Sequence, residues 1–126
     1  MMKKRKILVV DDEVMMTRML KRNLEATGNY EVQELNYGAQ ALEACRTFMP
    51  DLVLLDVMMP DMEGGDVAAA MSEDSALSAI KIVFLTAIVT KDEVPPEGAD
   101  ISGRIFLAKP VKTADLVACI EAQLTP

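Results

Sequence analysis

Four short apolar runs punctuate the chain: Ile7–Val10, Leu52–Leu55, Ile82–Leu85 and Ile105–Ala108. None alternates with polar residues. Unbroken runs of this length suit strands buried on both faces, as in a parallel sheet. A fifth run, Tyr30–Leu35, reads YEVQEL and does alternate, which predicts an edge strand. Helical spacing fills the intervals. Leu20 and Leu24, with Thr17 in register, mark one apolar face that Gly28-Asn29 ends. Ala41, Leu42, Cys45 and Phe48 form a second stripe, closed by Pro50. A third helix is expected from Asp66, through Val67, Ala70 and Met71. Thr113 is expected to cap a last helix that turns Val117, Ile120 and Leu124 inward.

Strands alternating with helices predict a doubly wound α/β fold. The stretch AIVTKDEVPPEGADISG departs from that rhythm. Pro95-Pro96 lacks backbone donors and restricts what precedes it, so at most one or two helical turns fit there. Loop is expected for the rest, with Val94–Gly103 largely non-helical.

Length and charge narrow the function. With 126 residues, one domain spanning 1–126 is expected. A net charge of −7 argues against nucleic-acid binding, which needs a basic face. The stub Lys3-Lys4-Arg5-Lys6 reads as a solvated lead-in to the first strand. No run is long enough to span a membrane or serve as a signal peptide, so a cytoplasmic protein is expected. Cys45 and Cys119 lack metal or redox spacing and read as buried thiols. The absence of histidine removes Ser/His/Asp and Cys/His catalysis, histidine metal sites and a phosphohistidine carrier role.

The chemistry gathers at the strand ends, where open α/β sheets bind ligands. Strand one runs into Asp11-Asp12, strand three into Asp56, strand four into Thr86, and strand five is followed by Lys109-Pro110. Like charges roughly 4 Å apart repel by about 4 kcal/mol at an effective dielectric near 20. Three carboxylates on one rim therefore call for a compensating charge. An oxygen-rich cluster suits a hard divalent cation such as Mg²⁺, and Lys109 adds a mobile charge suited to phosphate. Each residue alone has a plainer use: an Asp as a helix cap, a Thr as strand filler, a Lys as a surface residue. Their ordered co-occurrence carries the reading.

Through VVDDE, LLDVMMPDMEGG, FLTA and FLAKP, the sequence resembles the response-regulator receiver domains of two-component signalling, along essentially its whole length. The resemblance implies a five-stranded parallel sheet of order 2-1-3-4-5 in a flavodoxin-like (CheY-like) fold. It implies that Asp56 accepts a phosphoryl group from a histidine kinase or phosphotransfer protein. Asp11, Asp12, Asp56 and the Met58 backbone carbonyl would hold Mg²⁺, and Thr86 and Lys109 would bind phosphoryl oxygens. The Lys109–Pro110 bond would be cis, with Pro110 at the partner-docking surface. Thr86 and Phe106 would couple the site to the surface as a switch. Phe106 lacks a hydroxyl and could act there only as an apolar body, or simply fill the core.

Partners are read from helix one. Met15, Met16 and Met19 lie beside its buried face, where receivers dock kinase helices, and Arg18 and Arg22 flank them; Met16 could equally be packed against the next helix. The proline-containing stretch replaces the usual fourth helix, shortened or missing here, so the family's usual dimer is not carried over. The sequence reaches Thr125-Pro126 with no linker or effector domain; a complete protein would be expected to act on a downstream protein by contact or pass its phosphate on, whereas a piece of a longer one would leave the output to the rest of that chain. Met58 and Ile88 flank the expected path of hydrolytic water, and both are apolar, which predicts slow self-dephosphorylation. The chain would thus act on itself alone and turn over no metabolite. The alternatives are a receiver that takes no phosphate and serves as a scaffold, a phosphohydrolase and a flavin-binding protein. The last two fit poorly, since the former would carry its nucleophile after strand one and the latter a phosphate loop there.

Overall fold

The computed structural model describes residues 3–87, 99–101 and 104–125. In chain order these form β1 (Arg5–Val10), α1 (Val14–Ala26), β2 (Tyr30–Leu35), a 3₁₀ turn at Gly38–Gln40, α2 (Ala41–Phe48) and β3 (Leu52–Asp56). There follow α3 (Gly64–Glu73), β4 (Lys81–Thr86), β5 (Ala99–Ile101), β6 (Arg104–Ala108) and α4 (Thr113–Leu124).

The sheet order is β2-β1-β3-β4-β6-β5. The first five in that order are parallel, which is the expected 2-1-3-4-5 arrangement, with β6 as the fifth parallel strand. The expected loop after Pro96 is corrected at one point. Ala99–Ile101 is a short strand, antiparallel to β6. Three residues carry no usable periodicity, so this strand exists only through its pairing. Residues 88–98, where the fourth helix was expected to be shortened or missing, lie outside the described residues, as do Ser102 and Gly103.

The apolar runs are unbroken because both faces of the sheet are covered. Ile7 and Val9 turn toward α1 and α4, while Leu8 and Val10 turn toward α2 and α3, and all four are fully buried. Leu52 and Leu54 follow the first pair, Val53 and Leu55 the second. Burying one such side chain is worth about 1.5–3 kcal/mol. β2 lies at the edge as its alternation predicts, although Tyr30 is itself buried, its hydroxyl donating to Glu121 Oε2 at 2.6 Å.

Helix faces follow the pattern with two corrections. Thr17, Leu20 and Leu24 are the buried residues of α1, and Gly28 closes it with φ +84°, a left-handed conformation that glycine adopts without strain. The buried line of α4 is Leu116, Cys119 and Ile120; Val117 and Leu124 flank it, half-buried. Thr113 does not cap α4: Lys112 holds the cap position in extended backbone, and no side chain caps it. A one-residue boundary is decided by where the backbone turns helical, not by which nearby residue has capping chemistry.

Both cysteines are buried, as read from the sequence. Burial pushes the Cys45 thiol up to about 11, against the opposing pull of Arg46. At pH 8 roughly a thousandth of it is thiolate, the reactive form. Iodoacetamide at pH 8 should leave Cys45 unmodified in the native protein and label it promptly in urea. Labelling should rise as pH climbs toward 11. Prompt native labelling at pH 8 would show that the α2 face opens. Among the described residues, no helix is long and apolar enough to cross a membrane.

Candidate phosphoacceptor and cation site

Strand register assembles the site. Val10 pairs with Leu55, so Asp11 and Asp56 emerge side by side one residue later. Thr86 pairs with Ala108, and the Lys109 N–H donates to the Thr86 carbonyl at 2.9 Å. Four consecutive strands of the sheet, β1, β3, β4 and β6, thus deliver their terminal residues to one carboxyl edge. A cleft of about 230 Å³ opens there, lined by Asp12, Glu13, Asp56, Met58, Thr86 and Lys109, with Ala87.

Asp11 is fully buried, Asp56 and Thr86 nearly so, and Asp12 is exposed. One Asp11 oxygen accepts the Glu13 N–H at 3.0 Å, shaping the turn into α1. The Lys109 ammonium bridges the acids, 2.8 Å from Asp11 Oδ2 and 3.1 Å from Asp56 Oδ1. Glu13 Oε1 stands 3.7 Å from the same nitrogen, an acidic neighbour that the motif reading passed over. Burial disfavours the Lys109 cation, but its contacts with Asp11 and Asp56 outweigh this and raise its pKa. Burial pushes the Asp56 carboxyl up to about 6; Lys109 opposes the shift, and the Asp11 charge and Asp12 add to it.

One ammonium does not balance these acids. Asp11, Asp12 and Asp56 bring carboxylate oxygens within 4.8 Å of one another. Buried Asp11 Oδ2, although it touches Lys109, accepts no aligned hydrogen bond. An all-oxygen, net-negative cluster with unspent acceptor capacity fits a hard divalent cation.

The Lys109–Pro110 bond is cis, as expected, and Pro110 is exposed beside the cleft. Phe106 is half-buried and stacks on Phe84, ring centroids 5.1 Å apart. Arg104 covers the other ring of that pair, its guanidinium 5.5 Å from the Phe84 centroid. Met15 and Met19 are exposed, at 82% and 45%, whereas Met16 packs half-buried against the α1–α4 core. Arg18 is drawn toward Glu34, 4.0 Å away. Met58 projects from the β3–α3 loop, 65% exposed; Ile88 lies outside the described residues.

Besides Glu13, Gly64 and Asp61 of the site region escaped sequence reading. Gly64 opens α3 directly against β3: a Cβ there would stand 2.2 Å from the Asp56 carbonyl oxygen. The paired glycines of MPDMEGG were the available signal, but which of the two is needed depends on the packing. Asp61 accepts the Ala39 and Gly38 N–H groups, at 2.9 and 3.2 Å, and these bonds hold its pKa below the usual carboxylate value.

Comparison with known proteins agrees with this geometry. The family model described as "Response regulator receiver domain" matches residues 7–121. The DNA-binding response regulator MtrA of Mycolicibacterium paratuberculosis is 38% identical over 121 residues, covering 96% of this chain and 52% of that protein. The alkaline phosphatase synthesis transcriptional regulatory protein PhoP of Bacillus subtilis is 34% identical over 122 residues, covering 95% of this chain and 48% of that protein. The chain therefore spans about half the length of these curated relatives. Among solved structures, the chemotaxis response regulator CheY4 of Vibrio cholerae superimposes with a TM-score of 0.79 at 26% identity, covering 95% of this chain and 98% of that one. The sequence motifs, the 2-1-3-4-5 sheet and the acidic edge converge with these matches: the chain belongs to the response-regulator receiver domain family.

Proposed function

We propose that the chain is a single receiver domain whose Asp56 accepts a phosphoryl group from the phosphohistidine of a histidine kinase or phosphotransfer protein. The observation that carries this is the Lys109 ammonium held between the buried carboxylates of Asp11 and Asp56 at the mouth of a small open cleft. In the transfer, an Asp56 oxygen forms a bond to phosphorus as the phosphorus–nitrogen bond of the donor breaks. The donor imidazole keeps the electron pair and takes up a proton. Asp11, Asp12 and Asp56, with the Met58 carbonyl, would hold Mg²⁺, which supplies charge neutralisation for the transferring group. Lys109 would meet the developing phosphoryl charge with its ammonium, and the Thr86 hydroxyl would bind one phosphoryl oxygen.

The product would be read by a downstream protein through Thr86 and Phe106, and exposed Met15 and Met19 suit a helical partner's apolar face. The chain acts on itself and turns over no metabolite. Mixing the protein with Mg²⁺ and acetyl phosphate, then weighing it intact, tests this reading. A single added phosphoryl group mapped to Asp56 is expected. Absence of any gain would favour the unphosphorylated scaffold.

Met58 bears on the lifetime of that product. Its exposed thioether chain cannot hydrogen-bond and orient an attacking water beside Asp56. Met58→Asn should shorten the phosphorylated half-life severalfold, measured as timed loss of the added mass in Mg²⁺ buffer. An unchanged half-life would assign water control to another residue.

A further inference from the structure

Two loops carry the acidic site: residues 11–13 after β1 and 57–63 after β3. Both are fastened to a third segment, residues 36–39 after β2. Asn36 Nδ2 donates to the Asp11 carbonyl at 2.8 Å and to Thr17 Oγ1 at 3.0 Å. Two and three residues later, the Gly38 and Ala39 N–H groups donate to the two carboxylate oxygens of Asp61. The second attachment is also close-packed. A Cβ on Gly38 would stand 3.0 Å from the Met62 carbonyl oxygen and 3.0 Å from Met59 Cε.

We infer that residues 36–39 form a clip that sets the spacing between the two metal-binding loops, with Asn36 and Asp61 as positioning residues. The inference rests on reading the acidic cluster as a Mg²⁺ site. Neither residue belongs to the Asp11–Asp12–Asp56 cluster. Each acts on the backbone that carries a ligand, Asn36 on Asp11 and Asp61 on the loop bearing Met58. Mg²⁺ demands near-ideal octahedral geometry. Loops that drift apart by a few tenths of an ångström would therefore lose affinity before they lose structure. A purely local role would look different: Asn36 would brace only the entry to α1, and Asp61 only the turn before α2. The two would then contribute independently.

Calorimetric titration of Mg²⁺ into the full chain separates these cases. Asn36→Ala and Asp61→Ala are each expected to weaken Mg²⁺ binding roughly threefold to tenfold, the scale of one or two lost hydrogen bonds. Asp61→Asn, which keeps one acceptor oxygen, should fall between. The double variant should bind no more weakly than the poorer single variant, because opening either end releases the clip. Ile120→Val, a buried change in α4, should lower the thermal midpoint without altering Mg²⁺ affinity. Full affinity in all the single variants, additive losses in the double variant, or affinity that merely tracks the thermal midpoint would each overturn the clip. Asp12→Ala serves as the reference for the site itself. If the unsubstituted chain takes up no Mg²⁺, or Asp12→Ala matches it, the metal reading falls and the clip with it. If Asp12→Ala binds weakly while Asp61→Ala binds fully, only the clip falls.

Discussion

Asp56→Asn should abolish phosphoryl uptake and, in metal-free buffer near pH 7.5, should stabilise the fold. The first effect is chemical: the amide is a poor nucleophile and a weaker cation ligand. The second is electrostatic. Asp56 is nearly buried and shares one ammonium with Asp11, so its negative charge is incompletely balanced. Its carboxyl titrates near 6 in the fold, above the ordinary value near 3.8. Below about pH 3 both folded and unfolded states are protonated, and no penalty applies. As pH rises from about 4 to 6 the unfolded state ionises first, so stability falls; above about 6 the full cost is present. A shift of that size corresponds to at most about 3 kcal/mol, and a gain of roughly 1–3 kcal/mol is expected from the substitution. Thermal melts in EDTA at pH 7.5 and pH 4 would check it, since the gain should shrink to a small fraction at the lower pH. Mg²⁺ should stabilise the unsubstituted chain more than the variant. Uptake mapped to another residue, or a lower melting point at pH 7.5, would contradict the account.

Gly64→Ala should damage both stability and phosphorylation, while Gly65→Ala, one residue on, should do neither. At Gly64 the new methyl would meet the Asp56 carbonyl oxygen at 2.2 Å, its carbon at 3.1 Å and Val57 Cα at 3.2 Å. All three are backbone atoms, which cannot rotate aside. The Gly64 N–H also donates to the Val57 carbonyl at 2.9 Å, so α3 cannot retreat without breaking that bond. Overpacking of this kind costs roughly 1–3 kcal/mol. Displacement of Asp56 by an ångström could slow transfer on the order of a hundredfold. At Gly65 the nearest atom to a new Cβ is Arg104 Nη1 at 3.8 Å, an ordinary contact. Alanine there should stabilise α3 by about 0.5–1 kcal/mol through helix propensity. Melting curves and acetyl phosphate uptake rates for the pair would test the contrast. Equal behaviour of the two variants would remove the special role of Gly64.

The residues that form the rim were legible because strand and polarity patterns are local. Ile7–Val10 and Leu52–Leu55 announce two-sided burial by having no polar position, and the acid that ends each run marks where the strand leaves the core. The Tyr30–Leu35 alternation likewise announced the edge. Helix boundaries were less legible. Thr113 has capping chemistry yet stands inside α4, and α3 begins two residues before the expected Asp66.

What the sequence determined by itself was the two-sided burial of the central strands, the order in which the five parallel strands come, and the placing of Asp11, Asp12, Asp56, Thr86 and Lys109 at the carboxyl edge. The tertiary structure decided the relations across the chain. Register set Asp11 beside Asp56, and Lys109 was drawn between them over long sequence separations. The approach of α3 to β3 left no room for a Cβ at Gly64 and only an ordinary contact for one at Gly65. Asn36 and Asp61 look like ordinary loop polar residues until the folded chain shows which carbonyl and which N–H groups they reach. Ala99–Ile101 became a strand only because β6 lay beside it. Burial and periodicity are properties of neighbours along the chain, and so can be read from it. Hydrogen-bond partners, steric clearances and shared charges depend on through-space distances, which exist only once the strands have paired and the helices have packed on the sheet.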